Sequence, residues 1–325
     1  MQFLREICLL SCSIMSNNCS FAEVDNMMTY VELIIYIPIF LFGMALNIFA
    51  LVEFCARLKK STESTIYMTN LALMDLLLLL PLPFKMHAAN HLWPPELLRF
   101  CSVLENLYFV GIYGSIYTIM CISADRWVAI CYPFKAKLLR SHKAARIICV
   151  GVWVVVFSAI FPIIHSFKER DTGNFSCFHR FSEGRWNPSV IICLQVFGFL
   201  GPALVIICCS VQTICTLQQS GKTSSQCQAC VKIIYSSLGA FLVPFTPSHL
   251  AIFLQFLVHQ GMINDCSSMT KISLFLQVTM CLSNITCCLD AVCYYFAARE
   301  ARSLKPSFKI SLTRERKHTF STSEV

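Results

Sequence analysis

Seven apolar stretches, each long enough to cross a lipid bilayer, follow one another from Tyr30 to Ala298. A hydrocarbon core about 30 Å thick needs about 20 apolar residues in a helix. The runs are Tyr30 to Cys55, Thr65 to Met86, Leu98 to Ile130, Ala144 to His165, Val190 to Leu217, Val231 to Val258 and Ile272 to Ala298. Lipid gives a backbone no hydrogen-bond partner, and these runs are too long and too unalternating for barrel strands, so they read as helices. The expected fold is an all-α membrane protein, a bundle of seven transmembrane helices over residues 30–298. Segments 1–29 and 299–325 flank it. A hydrophobic fraction of 56% and a charged fraction of 14% fit that class.

Basic residues accumulate in cytoplasmic loops and so give an orientation. Arg57, Lys59 and Lys60 follow the first run, and Lys135, Lys137, Arg140, Lys143 and Arg146 lie between the third and fourth. Arg299, Arg302, Lys305, Lys309, Arg314, Arg316 and Lys317 crowd the tail. On the other side Lys168, Arg170, Arg180 and Arg185 are nearly balanced by Glu96, Glu169, Asp171, Glu183 and Asp265. The amino terminus is therefore expected outside and the carboxyl terminus in the cytoplasm. The net charge of +8 is a topology signal, and nucleic acid is not an expected partner. Glycosylation sequons at Asn18 and Asn174 fall on the outer side, whereas the one at Asn284 lies within the seventh run. Met1 to Met15 reads either as a weak leader peptide or as a stretch preceding an alternative start.

Most of the 20 cysteines lie inside apolar runs, where they act as small hydrophobes. Outer cysteines remain for bridging, with Cys101 and Cys177 the expected pair, Cys19 and Cys266 the second, and Cys8 and Cys12 unassigned. No soluble segment carries a nucleophile–base pair, a metal cluster or a phosphate loop, which argues against an enzyme. A transporter or channel is the rival from another class, but no inverted repeat is visible.

Ionisable residues inside a bilayer are costly and call for a partner or a role. Asp75, Lys85, Glu105, Asp125, Arg126 and Asp290 are those exceptions. Asp125-Arg126-Trp127 closes the inner end of the third run, where the adjacent charges can neutralise one another while the arginine stays ready to reach elsewhere. Glu105, Tyr108, Phe109, Ile112, Ser115 and Ile116 share one face at helical spacing, and that face is expected to line a pocket. Lys85 approaches it, suited to an anionic phosphate, while Glu105 suits sugar hydroxyls; a Lys85–Glu105 ion pair is the alternative. His249 and Gln277 are candidates for neutral hydrogen bonds. Phe253, Phe178 and Met280 are candidates for contact with an acyl chain.

The set Gly43-Met-Ala-Leu-Asn47, Asp75, Cys101, Asp125-Arg126-Trp127, Trp153, Pro202, Pro247 and Asp290-Ala-Val-Cys-Tyr294 resembles the rhodopsin-like class of G-protein-coupled receptors across the whole membrane domain. Trp127, Phe245 and Ala291 depart from that class, where Tyr, Trp and Pro are usual. Leu-Pro83-Phe84-Lys85-Met, Leu-Glu105-Asn-Leu-Tyr108-Phe109 and Cys177-Phe178-His179 are similar to its lysophosphatidylinositol-receptor branch. The resemblance implies a lysophospholipid ligand and a heterotrimeric G protein of the Rho-activating class; a nucleotide or lysophosphatidic acid is the alternative ligand. It also implies a short eighth helix, a plasma-membrane location and a coupling surface of Asp125, Arg126, Phe134 and Tyr294. A sodium ion among Asp75, Ser115 and Asp290 is implied as well; no other cofactor is expected. Arrestin is expected at tail residues Thr313, Thr319, Ser321 and Thr322 once phosphorylated, and a PDZ domain at Ser323-Glu324-Val325.

Overall fold

The computed structural model describes residues 21–57, 62–91, 93–168, 177–178, 186–219 and 225–303. Seven of its helical spans are long and apolar enough to cross a membrane: Val24–Cys55, Glu63–Ala89, Pro95–Cys131, His142–Pro162, Pro188–Gln219, Cys230–His259 and Cys266–Tyr295. Each contains one of the seven apolar runs almost entirely. The first helix begins at Ala22, so the boundary expected at residue 30 falls inside it.

The third span is central, packed against the second, fourth, fifth and sixth. Close approach to the second depends on Gly111, where a Cβ would stand 2.6 Å from the backbone nitrogen of Leu78. A side chain there would force the two helices apart. Buried amides then fasten the spans, because an amide in a dry interior must find partners. Asn47 donates to the carbonyls of Gly43 at 2.9 Å and Cys287 at 3.0 Å, joining the first and seventh spans. Asn70 donates to Thr118 at 2.8 Å and accepts the Trp153 indole N–H at 2.8 Å, joining the second, third and fourth. Outward faces carry exposed apolar side chains such as Ile34, Phe42, Phe49, Val150 and Phe197, as lipid contact requires.

Proline and glycine shape the spans locally. Span two breaks at Pro81 into helices Glu63–Leu79 and Leu82–Asn90, which aims Lys85 inward. Span five widens into a π-turn over Val196–Leu200, just before Pro202. Pro202 has no N–H to give back, and the Phe197 carbonyl instead accepts the Tyr117 hydroxyl at 3.0 Å. The sixth helix continues through Pro244 and Pro247, with Ser248 bridging the carbonyls of Pro244 at 2.8 Å and Thr279 at 2.9 Å.

The seventh span consists of Cys266–Ser283 and Thr286–Ser303, separated by a turn at Asn284 and Ile285. Its first helix is capped by Asp265, whose carboxylate accepts the backbone N–H and the hydroxyl of Ser268, each at 2.9 Å. Those bonds, the backbone one foremost, hold this exposed carboxyl below the usual range. The second helix corrects one expectation. It runs on unbroken to Ser303, and no separate eighth helix occurs among the described residues. Ala-Ala-Arg-Glu-Ala-Arg from Ala297 to Arg302 favours helix and offers no Gly or Pro to stop it.

Candidate functional site

At one end of the bundle, a disulfide joins Cys101 at the start of the third span to Cys177, with Cα atoms 5.8 Å apart. It delivers Phe178, a non-glycine residue at φ 64°, to the bundle mouth. Glu105 holds that loop, its Oε1 accepting the Phe178 backbone N–H at 3.2 Å. Glu105 is thus turned to the loop backbone, and the alternative ion pair with Lys85 does not form.

Lys85 lies instead among rings, its Nζ 4.9 Å from the Tyr108 centroid, 5.1 Å from that of Tyr36 and 6.0 Å from that of Phe178. The negative faces of those rings attract the cation without neutralising it. Among the described residues no carboxylate is within ion-pairing range of Lys85; Glu32 acts on it from farther away. Tyr36 was not signalled by the sequence, since a lone Tyr in an apolar run reads as ordinary packing.

Beside this cluster a cavity of about 90 Å³ is lined by residues of the third to seventh spans and by Trp186, just ahead of the fifth. Its walls include Phe109, Tyr113, Trp186, Leu194, Phe245 and Ile252, with Ser248, His249 and Ser283 as polar points. Four anticipated residues therefore meet here: Phe109, Ile112, His249 and Met280. Tyr108 packs edge-on against Phe109 with centroids 5.4 Å apart, so the cationic cluster and the apolar cavity share a wall. His249 is fixed by Gln195, which donates to its carbonyl at 2.9 Å and faces its Nδ1 at 3.2 Å. Ser115 and Ile116, on the same face of the third span, lie outside the cavity lining, as do Phe253 and Gln277. Phe253 is 45% exposed on the outside of its helix, and Gln277 donates to Asp25 at 3.1 Å, tying the seventh span to the first.

Deeper in the bundle, Asp75 accepts the Ser115 hydroxyl at 3.0 Å and the Tyr294 hydroxyl at 2.7 Å. Asp290 is fully buried, and neither of its carboxylate oxygens has a hydrogen-bond partner among the described residues. The side-chain oxygens of Asn47 and Asn284 are in the same condition. Asp75 acts electrostatically on Asp290, and carboxylate and hydroxyl oxygens are the ligand type a hard cation would use.

At the opposite end, the two charges of the motif take separate partners. Asp125 does not neutralise Arg126; it receives Arg140 through two bonds of 2.8 Å, from Nε to Oδ1 and from Nη2 to Oδ2. Neighbours in a helix point about 100° apart, so adjacent residues cannot face each other, whereas a loop arginine can come in square. Glu63 lies 3.8 Å from the same guanidinium. Arg126 is buried, donating to the Ser64 hydroxyl of the second span and reaching Cys230 Sγ of the sixth at 4.0 Å. Trp127 uses its indole N–H on Gln212 at 2.7 Å. Phe134 is 84% exposed on the short helix Pro133–Leu139, while Tyr294 is engaged with Asp75.

Asn18, Cys19, Asn174 and the tail residues Thr313 to Val325 lie outside the described residues. Cys266 is disulfide-bonded.

Residues 46–294 match the model of the 7 transmembrane receptor (rhodopsin family). The chain is 42% identical to G-protein coupled receptor 55 of Mus musculus, covering 88% of this chain and 91% of that one. It is 32% identical to lysophosphatidic acid receptor 4 of Homo sapiens, covering 85% and 76%. With G-protein coupled receptor 35 of Mus musculus the identity is 34%, over 79% and 82%.

Proposed function

Because this chain belongs to the rhodopsin family of seven-transmembrane receptors, we propose that it senses a lysophospholipid and passes the signal to a heterotrimeric G protein. One observation carries the ligand class: the Lys85 ammonium, without an ion-pair partner among the described residues, stands next to an apolar cavity. An amphiphile with one anionic head and one hydrocarbon chain satisfies both halves. Chain burial contributes about 0.8 kcal/mol per methylene, and the head contributes a charge-assisted bond. The lysophosphatidic acid receptors among the relatives support the same class. A lysophosphatidylinositol-like ligand is the preferred reading; lysophosphatidic acid or a nucleotide is the alternative.

In this reading the amino terminus is extracellular, the tail cytoplasmic and the membrane the plasma membrane. Agonist favours a state in which the sixth span moves away and Arg126 leaves Ser64 and Cys230 for the Gα subunit, with Phe134 as an apolar anchor. The Rho-activating Gα class is the expected transducer, with arrestin and a PDZ protein as tail partners. Asp75, Ser115 and Asp290 would hold a sodium ion, whose charge relieves two buried carboxylates and favours the resting state. The test is a screen of lysolipids and nucleotides on the expressed receptor with a panel of Gα sensors. A response to lysolipids that Lys85→Ala removes supports the reading, and full potency in Lys85→Ala ends it.

A further inference from the structure

We propose that the hydroxyls of Tyr36 and Tyr108 complete, with the Lys85 ammonium, a three-donor cradle for the phosphate of the ligand. The inference rests on the lysophospholipid reading above and assigns the headgroup's contacts within it. Tyr36 is 0% exposed and Tyr108 2%, yet among the described residues neither hydroxyl meets a partner at hydrogen-bonding geometry, with Cys281 the polar neighbour of the first and Lys85 that of the second. Buried polar groups are nearly always paired, so two orphans beside one another require a reason. Both belong to rings that flank the same cation, 5.1 Å and 4.9 Å from Nζ. The Cys281 thiol next to Tyr36 is only a weak acceptor.

Ring faces attract the ammonium but accept none of its N–H groups with the strength of an anion. A phosphate supplies what all three groups lack, since its oxygens accept several charge-assisted bonds at once. A neutral glycerol head supplies no charge and forms weaker bonds. Tyr36 belongs to the first span, Lys85 to the second and Tyr108 to the third, so a bound phosphate would also tie those three helices together.

Binding of three probes with the same oleoyl chain to the full chain in lipid nanodiscs tests this: lysophosphatidylinositol, lysophosphatidic acid and the neutral monoacylglycerol. Tyr36→Phe keeps the ring and deletes one oxygen. It is expected to weaken the phosphate lipids about 10- to 100-fold, the scale of a bond to a charged group, and to spare the monoacylglycerol. A loss on one ester alone supports the cradle and identifies the diester or the monoester as its ligand. Unchanged affinity for both esters, with Lys85→Ala impaired, overturns the cradle while the lysophospholipid reading stands. Failure of the wild-type chain to bind any of the three overturns that reading itself. Should Tyr36→Phe melt below the wild type, Tyr108→Phe carries the same expectation and the same refutation.

Discussion

Arg140 meets Asp125 side by side, through two bonds of 2.8 Å, and so couples the second inner loop to the arginine motif of the third span. Asp125 is nearly buried, with its side chain 7% exposed, while that of Arg140 is 24% exposed. Arg126 is left to the second and sixth spans, where Ser64 and Cys230 hold it in the bundle. One ion pair thus keeps the loop in place, and a separate set of polar contacts keeps Arg126 within the bundle.

Removing the clasp should raise signalling without agonist. Arg140→Ala leaves Asp125 without its bidentate partner and frees the loop that presents Phe134. A bias of about 1 kcal/mol between the two states corresponds to about a five-fold change in their ratio. Basal activity in a Gα sensor assay, normalised to surface expression, should rise by about that factor. The charge-swapped pair Asp125→Arg with Arg140→Asp should restore part of the difference.

Sodium should oppose agonist binding. If the ion is held by Asp75 and the buried Asp290, replacing sodium with choline should increase agonist affinity about five-fold or more, the usual size of allosteric coupling. Asp75→Asn should bind agonist equally in both salts. An undiminished sodium effect in that variant would remove the ion from this site.

Gly111→Ala should cost about 1–3 kcal/mol of stability, as expected for overpacking against a rigid backbone. The added carbon would lie 2.6 Å from the Leu78 nitrogen, which cannot yield as a side-chain tip can. A lower melting temperature in detergent checks it. Gly151→Ala, with nothing within 4 Å of its new carbon, is the control and should melt like the wild type.

Loss of the outer disulfide should reduce both stability and affinity. The bridge spans a sequence separation of 76 residues, for which chain entropy gives an upper estimate of about 4 kcal/mol. It also positions Phe178 beside Lys85. Cys177→Ser should therefore lower the melting temperature and weaken lysophospholipid binding, both read on the purified receptor.

The spans were legible in the sequence because membrane thickness imposes a length and lipid imposes a composition. The inner motif was legible as a position but not as a set of partners. Asp125 and Arg126 are adjacent in sequence, and only the path of the loop brings Arg140 to one and leaves Ser64 for the other. The outer site was half legible. Lys85 and Tyr108 stood out as polar residues at helical spacing, whereas Tyr36 becomes meaningful only when the first span is placed against the second. Phe253 was misplaced because aromatic content alone does not tell the lipid face from the cavity face; its neighbour Ile252 is the one that turns inward. Within the described residues the seventh span runs on to Ser303, because no breaker follows Tyr294.

The most direct measurement is guanine-nucleotide exchange on purified Gα by the purified receptor in lipid nanodiscs, with lysophospholipids and nucleotides presented separately. Acceleration by a lysophospholipid in the wild type, lost in Lys85→Ala and absent with nucleotides, is the expected result. Exchange that no lysophospholipid accelerates, or that is equally fast in Lys85→Ala, would contradict the account.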